Sequence, residues 1–322
     1  MKKIKIGILG CADIAKRMVI PNLLSSNKFE IVAISSRSTE KAASFCKLFG
    51  GRPIKGYQNL IKIKEVEAVY IPLPTGMHYE WIMKCLENNK HVFSEKSIAT
   101  SLVEVSNIIK LAKKKNLCVY ENFMFPYHSQ IKFVKEKIKD GEIGKLRLFK
   151  SAFGFPIFNE KTNIRYNKKL GGGALLDAGA YTLMASQLFL GKNQKVISSC
   201  LNKLNYNVDF LGFITLLNNE NVVSQLSFGF DNFYQNNIEI WGTKGKILIE
   251  RAFTAGPSHT PFIKLFKSGE VINYKLPNDN HFINIINDFY NSIISNNCSK
   301  KYDQILSQST LLELVKNKNI LV

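Results

Sequence analysis

The feature that most constrains the fold is an alternation of apolar, strand-like runs with helical stretches up to about residue 122. The first run, IKIGIL at 4–9, ends at Gly10, and a helical stretch near 13–26 follows it. The later strand-like runs lie at 29–35, 67–74, 91–96 and 117–122. The helical patterns between them lie at 39–49, 79–88 and 101–115. This alternation predicts βαβ units, a parallel sheet and right-handed crossovers.

The pattern changes after residue 122, where we place a domain boundary. Residues 129–140 have helical spacing, and KLRLFKSAFGF at 145–155 is typical of a strand. The stretch 207–275 contains successive strands separated by turns such as NNEN and GTKG. Pairs of this kind favour a largely antiparallel sheet. Helical patterns return at 281–296 and 303–316.

Length and hydropathy exclude several classes of protein. A chain of 322 residues suggests two domains, and 45% hydrophobic residues suffice for ordinary cores. No run of about 18 apolar residues appears, so we expect no membrane span. The N-terminus leads directly into a strand, and its apolar stretch is too short for a secretory h-region, so we expect no secretory signal. We therefore expect a cytoplasmic protein.

Charge and cysteine spacing argue against nucleic-acid-binding, metal-binding and disulfide-rich classes of protein. The net charge is +19, but the lysines are spread along the chain and no nucleic-acid-binding motif is present. We expect a solvated basic surface and no nucleic-acid partner. The six cysteines form no C-x-x-C pair, and the five histidines form no H-E-x-x-H motif. We therefore expect neither a metal site nor a disulfide framework, and scattered thiols fit a reducing compartment.

The turn after the first strand carries the first functional motif. It resembles G-x-G-x-x-A, with Ala12 in place of the second glycine, and it opens a helix. Such a turn can hold a pyrophosphate on the free N–H groups of the helix N-terminus. The residues predicted to bind the cofactor are Gly10, Cys11, Ala12, Asp13 and Ile14. A tight strand–helix turn without a ligand is the alternative.

The end of the second strand predicts which dinucleotide binds. An NAD enzyme would have an acidic residue here, whereas this chain has Ser36 and Arg37 and no carboxylate before Glu40. A guanidinium group and a hydroxyl suit a 2′-phosphate. The sequence therefore favours NADP(H), with a solvated Arg37 as the alternative.

Two further places carry candidate catalytic residues. Glu95 and Lys96 follow a strand at the edge where open α/β sheets bind ligands. Asp177 and Tyr181, four residues apart, share one face of a predicted helix that runs to about Leu190. Each has a structural alternative: Lys96 as a surface lysine, and Asp177 with Tyr181 as a capped polar pair.

Four stretches together resemble the glucose–fructose oxidoreductase / inositol dehydrogenase family, Gfo/Idh/MocA. They are GILGCADIA at 7–15, YIPLPTGMHYEW at 70–81, SEKSIA at 94–99 and GGGALLDAGAYT at 171–182. The resemblance implies a Rossmann domain followed by an α+β domain with an open, mainly antiparallel sheet. We accordingly expect a dinucleotide-binding domain at 1–121 and a substrate-binding and oligomerisation domain at 122–322. The sheet often mediates oligomerisation in the family, so we expect a homodimer or homotetramer.

The resemblance also assigns residues. Lys96 matches the lysine of the family's E-K-P motif, and Asp177 and Tyr181 match its D-x-G-x-(H/Y) motif. The loop after the third strand-like run borders the nicotinamide in the family. This adds further cofactor-binding candidates: Pro72, Leu73, Thr75, His78, Glu95 and Lys96. The chain departs from the family pattern at Ala12, at Thr75, where many members have Asn, and at Ser97, which replaces the motif's proline.

Two stretches, 121–130 and 163–182, are most similar to nucleotide-sugar C-3 ketoreductases within the family. That likeness implies NADPH-dependent reduction of a dTDP-linked 3-keto deoxysugar. Tyr181 would donate the proton, Lys96 would polarise the carbonyl oxygen and acidify the phenol, and Asp177 would orient the pair or hold a sugar hydroxyl. The predicted substrate contacts are Asn122, Phe123, Arg165, Tyr166, Asp177 and Tyr181. The alternatives are an NADP-dependent dehydrogenase of free sugars or diols and a non-catalytic NADP-binding sensor.

Overall fold

The structure, a computed structural model, describes residues 2–157 and 163–320 and divides into two compact units. The first unit comprises Met1–Asn122 and Phe282–Leu306, and the second comprises Phe123–His281 and Ser307–Val322. The expected division at 121/122 treated the domains as consecutive segments. The structure differs because the chain returns to the first unit through Phe282–Leu306. No helix in the described part of the chain is long and apolar enough to cross a membrane.

The first unit is built on a six-stranded parallel sheet with the order β3-β2-β1-β4-β5-β6. Its strands are β1 (Ile4–Leu9), β2 (Phe29–Ser36), β3 (Arg52–Lys55), β4 (Ala68–Ile71), β5 (His91–Ser94) and β6 (Val119–Glu121). Its helices up to β6 are α1 (Ile20–Ser25), α2 (Thr39–Phe49), α3 (Tyr57–Ile61), α4 (Thr75–Glu87) and α5 (Leu102–Lys115). A π-helical turn, Ala15–Val19, precedes α1. The predicted parallel sheet is confirmed.

The returning segment contributes to the core of this unit. It contains most of α8 (His281–Ile294) and the first part of α9 (Ser299–Asn317). Phe289 of α8 is fully buried, and its ring centroid lies 6.0 Å from that of Phe29 and 5.3 Å from that of Phe93. The Rossmann sheet therefore buries one of its aromatic clusters under a helix from the far end of the sequence.

A disulfide bond also joins this segment to the sheet. Cys118 and Cys298 are bonded, with their Cα atoms 5.5 Å apart and a sequence separation of 180. The sequence predicted scattered thiols and no disulfide framework, and the spacing of the cysteines gave no indication of this one bonded pair. The α8–α9 connection brings Cys298 to the start of β6, a proximity that depends on tertiary folding and leaves no spacing pattern in the sequence.

The second unit is built on a nine-stranded, mainly antiparallel sheet with the order β14-β13-β12-β11-β7-β10-β9-β8-β15. Its strands are β7 (Leu146–Phe155), β8 (Gln194–Asn202), β9 (Leu211–Asn218), β10 (Val223–Phe230), β11 (Gln235–Gly242), β12 (Gly245–Ile249), β13 (Phe262–Lys267), β14 (Glu270–Lys275) and β15 (Asn319–Ile320). The pairs β7–β10 and β8–β15 are parallel. The helices α6 (Ser129–Lys139) and α7 (Ala180–Leu190) belong to the same unit, and a π-helical turn, Leu175–Gly179, precedes α7. The predicted fold class is confirmed.

Candidate functional site

The turn between β1 and the first helical segment has the backbone that a glycine-rich phosphate loop needs. Gly10 has a φ of +128°, and its N–H donates to the carbonyl oxygen of Ser35 at 3.0 Å. This backbone conformation favours glycine, and an added Cβ would lie 2.9 Å from Leu73 Cδ2, so that leucine side chain would also have to shift. The thiol of Cys11 points into the protein toward the carbonyl oxygens of Ser35 and Lys41, and burial raises its pKa to about 11. Cys11 can therefore offer a ligand only its backbone.

The helix that begins here presents its N-terminal end at the turn. Asp13 forms an exposed ion pair with Arg17 one helical turn later, at 2.6 Å. Ile14 precedes the π-helical turn and has helical backbone angles. The Asp13 side chain is thus engaged along the outside of the helix, and the main chain of 11–14 is the part of this segment that suits an anion.

The end of β2 presents a cation without a competing carboxylate. Ser36 is 6% exposed, whereas Arg37 is exposed. The nearest carboxylate in sequence, Glu40, accepts a hydrogen bond from Ser38 Oγ at 2.6 Å, and Ser38 in turn caps the N-terminus of α2. Glu40 is thereby committed to the helix cap, and Arg37 remains in reach of a ligand.

The loops after β4 and β5 bring together most of the residues predicted to border the nicotinamide. Pro72 and Leu73 are buried, and Thr75 is the half-buried first residue of α4. His78 is fully buried, with both ring nitrogens 2.7 Å from backbone carbonyl oxygens. His78 therefore connects loops inside the protein, and its ring atoms are occupied by those contacts.

Glu95 and Lys96 lie at the carboxyl end of β5, as predicted, and the Lys96–Ser97 peptide bond is cis. Glu95 Oε1 accepts hydrogen bonds from Tyr70 Oη at 2.7 Å and from Asn122 Nδ2 at 2.8 Å. Burial raises the pKa of Glu95 despite these bonds. The carboxyl group of Glu95 thus anchors the residue before Lys96 to β4 and to the end of β6.

Asn122 and Phe123 follow β6 and are almost completely buried, at 1% and 2% exposure. Asn122 Oδ1 has no hydrogen-bond partner among the described residues. The ring of Phe123 meets that of Tyr181 edge-on, with centroids 5.3 Å apart. Of these two predicted substrate residues, Phe123 therefore lies beside the proposed proton donor.

In the second unit, a glycine turn and a buried carboxylate set the start of the helix that carries Asp177 and Tyr181. Gly173 has a φ of +120°, and a side chain there would overlap the carboxylate of Asp209. Asp209 accepts the N–H of Leu175 at 2.5 Å through its carboxylate and the N–H of Ala174 at 2.8 Å through its carbonyl oxygen. Burial raises the pKa of Asp209. Sequence reasoning missed this cap because Asp209 lies more than thirty residues downstream.

Asp177 forms an ion pair with Arg165. Arg165 Nε donates to Asp177 Oδ2 at 2.6 Å, and the two side chains are 33% and 22% exposed. Asn163 Oδ1 accepts the backbone N–H of Arg165 at 3.1 Å and so fixes its position. Arg165, predicted as a substrate contact, thus has a structural partner in the helix motif. Its neighbour Tyr166 packs its ring 5.4 Å from that of Tyr206.

Tyr181 is held in an aromatic surrounding. It is 6% exposed, and four phenylalanine rings lie with centroids 5.1–5.9 Å from its own: Phe123, Phe125, Phe153 and Phe253. Its hydroxyl reaches Met124 Sδ at 3.7 Å. Such packing fixes the ring independently of the hydroxyl group, which is the arrangement expected of a preorganised proton donor.

Comparisons with known proteins cover nearly the whole chain. The profile of an oxidoreductase family with an NAD-binding Rossmann fold matches residues 4–123, and that of the GFO/IDH/MocA C-terminal domain matches 131–248. The dTDP-3,4-didehydro-2,6-dideoxy-alpha-D-glucose 3-reductase of Saccharopolyspora spinosa is 38% identical over 277 residues, which are 86% of this chain and 83% of that protein. The enzyme of the same name from Actinomadura kijaniata is 34% identical over 315 residues, which are 97% of this chain and 95% of that protein.

A solved structure extends the likeness to three dimensions. It is a 3-ketoreductase from Actinomadura kijaniata in complex with NADP and TDP-benzene. Its TM-score with this chain is 0.97 at 33% identity, and the alignment covers 100% of this chain and 99% of that one.

Proposed function

The chain belongs to the Gfo/Idh/MocA oxidoreductase family, and on that premise we propose that it is an NADPH-dependent reductase of a nucleotide-linked keto-deoxysugar, acting at C-3. The observation that carries the proposal is the likeness to dTDP-sugar 3-reductases along nearly the full length of both chains. Lys96, Asp177 and Tyr181 are all present. The first unit would bind the cofactor and the second the sugar.

The residues of the first unit fit an NADP molecule. The positive φ of Gly10 turns the chain into the helix that follows, and the first N–H groups of that helix suit the pyrophosphate. Exposed Arg37 and neighbouring Ser36 suit the 2′-phosphate, because Glu40 is turned to the α2 cap. When bound, the reduced nicotinamide supplies the hydride.

The proton and the charge stabilisation come from the chain. Tyr181 gives its phenolic proton to the oxygen of the sugar ketone as negative charge develops there. Lys96 places a positive charge at the same oxygen and favours the phenolate that remains. Asp177, held by Arg165, orients a sugar hydroxyl or the phenol. Arg165, Tyr166, Asn122 and Phe123 remain the proposed substrate contacts.

The second sheet is the proposed surface for a homodimer or homotetramer. Several of its strands carry large, exposed apolar side chains; among them, Phe213 on β9, Trp241 on β11 and Phe262 on β13 are 55%, 37% and 48% exposed. Exposed apolar residues on one sheet favour association. Light scattering on the purified protein would measure the mass, and a monomer at micromolar concentration would count against this surface.

The decisive experiment compares substrates. The protein is mixed with NADPH and either a dTDP-linked 3-keto-6-deoxysugar or the matching free sugar. In a separate assay it is mixed with NADP and a panel of diols. Nicotinamide absorbance is followed in each case. We expect turnover of the dTDP-linked ketone with far higher kcat/KM than any free sugar, since the nucleotide supplies remote binding energy. Equal kcat/KM for free sugars or diols would favour the dehydrogenase. Tight NADPH binding without turnover would favour a sensor.

A further inference from the structure

The backbone that follows Lys96 is held in place by buried side chains of neighbouring elements. The carbonyl oxygen of Ser97 lies 2.7 Å from His78 Nδ1. The N–H of Ile98 donates to Glu121 Oε1 at 2.8 Å. Ser97 and Ile98 are themselves 2% and 1% exposed. Two side chains, one from α4 and one from the end of β6, therefore fix the segment on the C-terminal side of Lys96.

His78 fixes a second loop at the same time. Its Nε2 lies 2.7 Å from the carbonyl oxygen of Leu73, in the loop after β4, while Ser97 belongs to the loop after β5. Burial lowers the pKa of His78. A neutral ring donates one of these two hydrogen bonds and an imidazolium donates both. The imidazole therefore lies between the two loops, with one ring nitrogen against a carbonyl oxygen of each, and each loop carries residues proposed to act on cofactor or substrate.

Glu121 is an unusual residue to find at this place. Its side chain is only 9% exposed, and no step of the proposed reduction uses it. Buried carboxyl groups are rare unless they are hydrogen-bonded, and the hydrogen bond it accepts comes from the second residue after Lys96. Its location indicates that it serves the Lys96 segment.

We propose that His78 and Glu121 are positioning residues that determine where Lys96 presents its ammonium group. The inference rests on the function proposed above, in which Lys96 acts on the substrate oxygen. Lys96 lies on a loop, where the backbone is fixed by specific contacts rather than by a sheet ladder. A displacement of about 1 Å at reacting groups can cost roughly 100-fold in rate. His78 and Glu121 would contribute to catalysis through this geometry without touching the substrate.

Paired variants separate positioning from general damage to the fold. In His78→Asn the amide nitrogen takes the place of Nδ1 and keeps a donor for Ser97, whereas in His78→Gln it takes the place of Nε2 and keeps a donor for Leu73. Glu121→Gln keeps an acceptor for Ile98, whereas Glu121→Met removes it.

His91→Gln is the matched control. It removes a comparable histidine contact, the one in which His91 Nδ1 accepts the N–H of Cys118 at 3.0 Å. That contact is at the opposite end of β5, away from the Lys96 segment.

The measurements are kcat and KM with NADPH and the dTDP-linked ketone, each variant being made in the parent and in the Lys96→Met background. Deuterated NADPH establishes that hydride transfer limits kcat. We expect His78→Gln and Glu121→Met to lower kcat about 10- to 100-fold with little change in KM. His78→Asn and Glu121→Gln should recover at least tenfold of that loss, and His91→Gln should leave kcat unchanged. In the Lys96→Met background the losses should disappear, because the residues act through Lys96.

Two outcomes would overturn the inference while leaving the proposed function intact. One is that His78→Gln lowers kcat as strongly in the Lys96→Met background as in the parent, which would show that His78 does not act through Lys96. The other is parental kcat in both His78→Gln and Glu121→Met. Should Glu121→Met not fold, the two His78 variants decide alone. If Lys96→Met itself retains parental kcat, the proposed function fails first, and the inference falls with it.

Discussion

Glu121 should make the stability of the first unit fall as the pH rises through neutrality. Glu121 is 9% exposed, and burial raises the pKa of its carboxyl group from an ordinary 4.5 to about 8, although the N–H of Ile98 and the charge of Lys96 oppose this. Between these two values the folded state holds a proton that the unfolded state has lost. The free energy of unfolding therefore falls progressively from about pH 4.5 to pH 8, and this contribution is constant above that range.

The magnitude follows from the two pKa values. Each pH unit within the window changes the free energy of unfolding by up to about 1.4 kcal/mol. From pH 5.5 to 7.5 the free energy of unfolding of the parent should fall by roughly 2.5 kcal/mol relative to that of Glu121→Gln, whose amide resembles the protonated acid and cannot ionise. The difference between the two proteins isolates this one group, since all other titrations cancel.

The assay can use the two tryptophans of the chain. In a Trp241→Phe background, Trp81 alone reports unfolding of the first unit in urea. Glu67→Gln is the control. Burial alone would raise the pKa of Glu67, but hydrogen bonds from Lys2 and Lys5 outweigh burial and lower it. The difference in free energy of unfolding between Glu67→Gln and the parent should therefore stay constant from pH 5.5 to 7.5. Parallel curves for the parent and Glu121→Gln from pH 5.5 to 7.5 would refute the reasoning.

Three further predictions concern the cofactor, the proton donor and the disulfide. Arg37→Ala should reduce the difference in binding free energy between NADPH and NADH by roughly 1.5–3 kcal/mol in binding titrations. Equal affinities of the parent protein for NADPH and NADH would contradict this prediction. Tyr181→Phe should lower kcat at least about 100-fold with unchanged NADPH affinity, whereas parental kcat with hydride transfer limiting would remove it from the mechanism. The oxidised, denatured chain should show four reactive thiols rather than six. Opening the Cys118–Cys298 loop should cost up to about 5 kcal/mol of stability, and six thiols before reduction would exclude the bond.

Sequence periodicity predicted the elements whose burial repeats locally. Two such predictions were correct: a strand that ends before Gly10, and a helical segment that carries Asp177 and Tyr181. Each depends only on residues that are close together in sequence. Strand β3 was missed since its residues, RPIK, are mostly exposed at a sheet edge and carry no apolar pattern. Strand β8 was missed because its sequence, QKVISSCLN, is largely polar.

Features that depend on distant parts of the chain could not be predicted in this way. The ion pair of Arg165 with Asp177 requires a loop to fold back on a helix, and the cap from Asp209 requires the segment just before β9 to reach the start of that helix. Nor does composition distinguish a parallel from an antiparallel neighbour, so the β7–β10 pairing went unseen. His78 was expected to bind the cofactor from its place in a motif, and the two carbonyl oxygens beside its ring are visible only in three dimensions.

The return of Phe282–Leu306 to the first unit has a consequence for how the protein is made. A ribosome delivers all six parallel strands of this unit by residue 121, yet Phe289, which covers Phe29 and Phe93, emerges only after more than 160 further residues. Throughout that interval the nascent sheet has an apolar face without its own cover, a condition that invites association with chaperones or with other chains. A gene fragment that stops at residue 122 should for the same reason yield an aggregation-prone product, and one that carries 282–306 through a short linker should be better behaved.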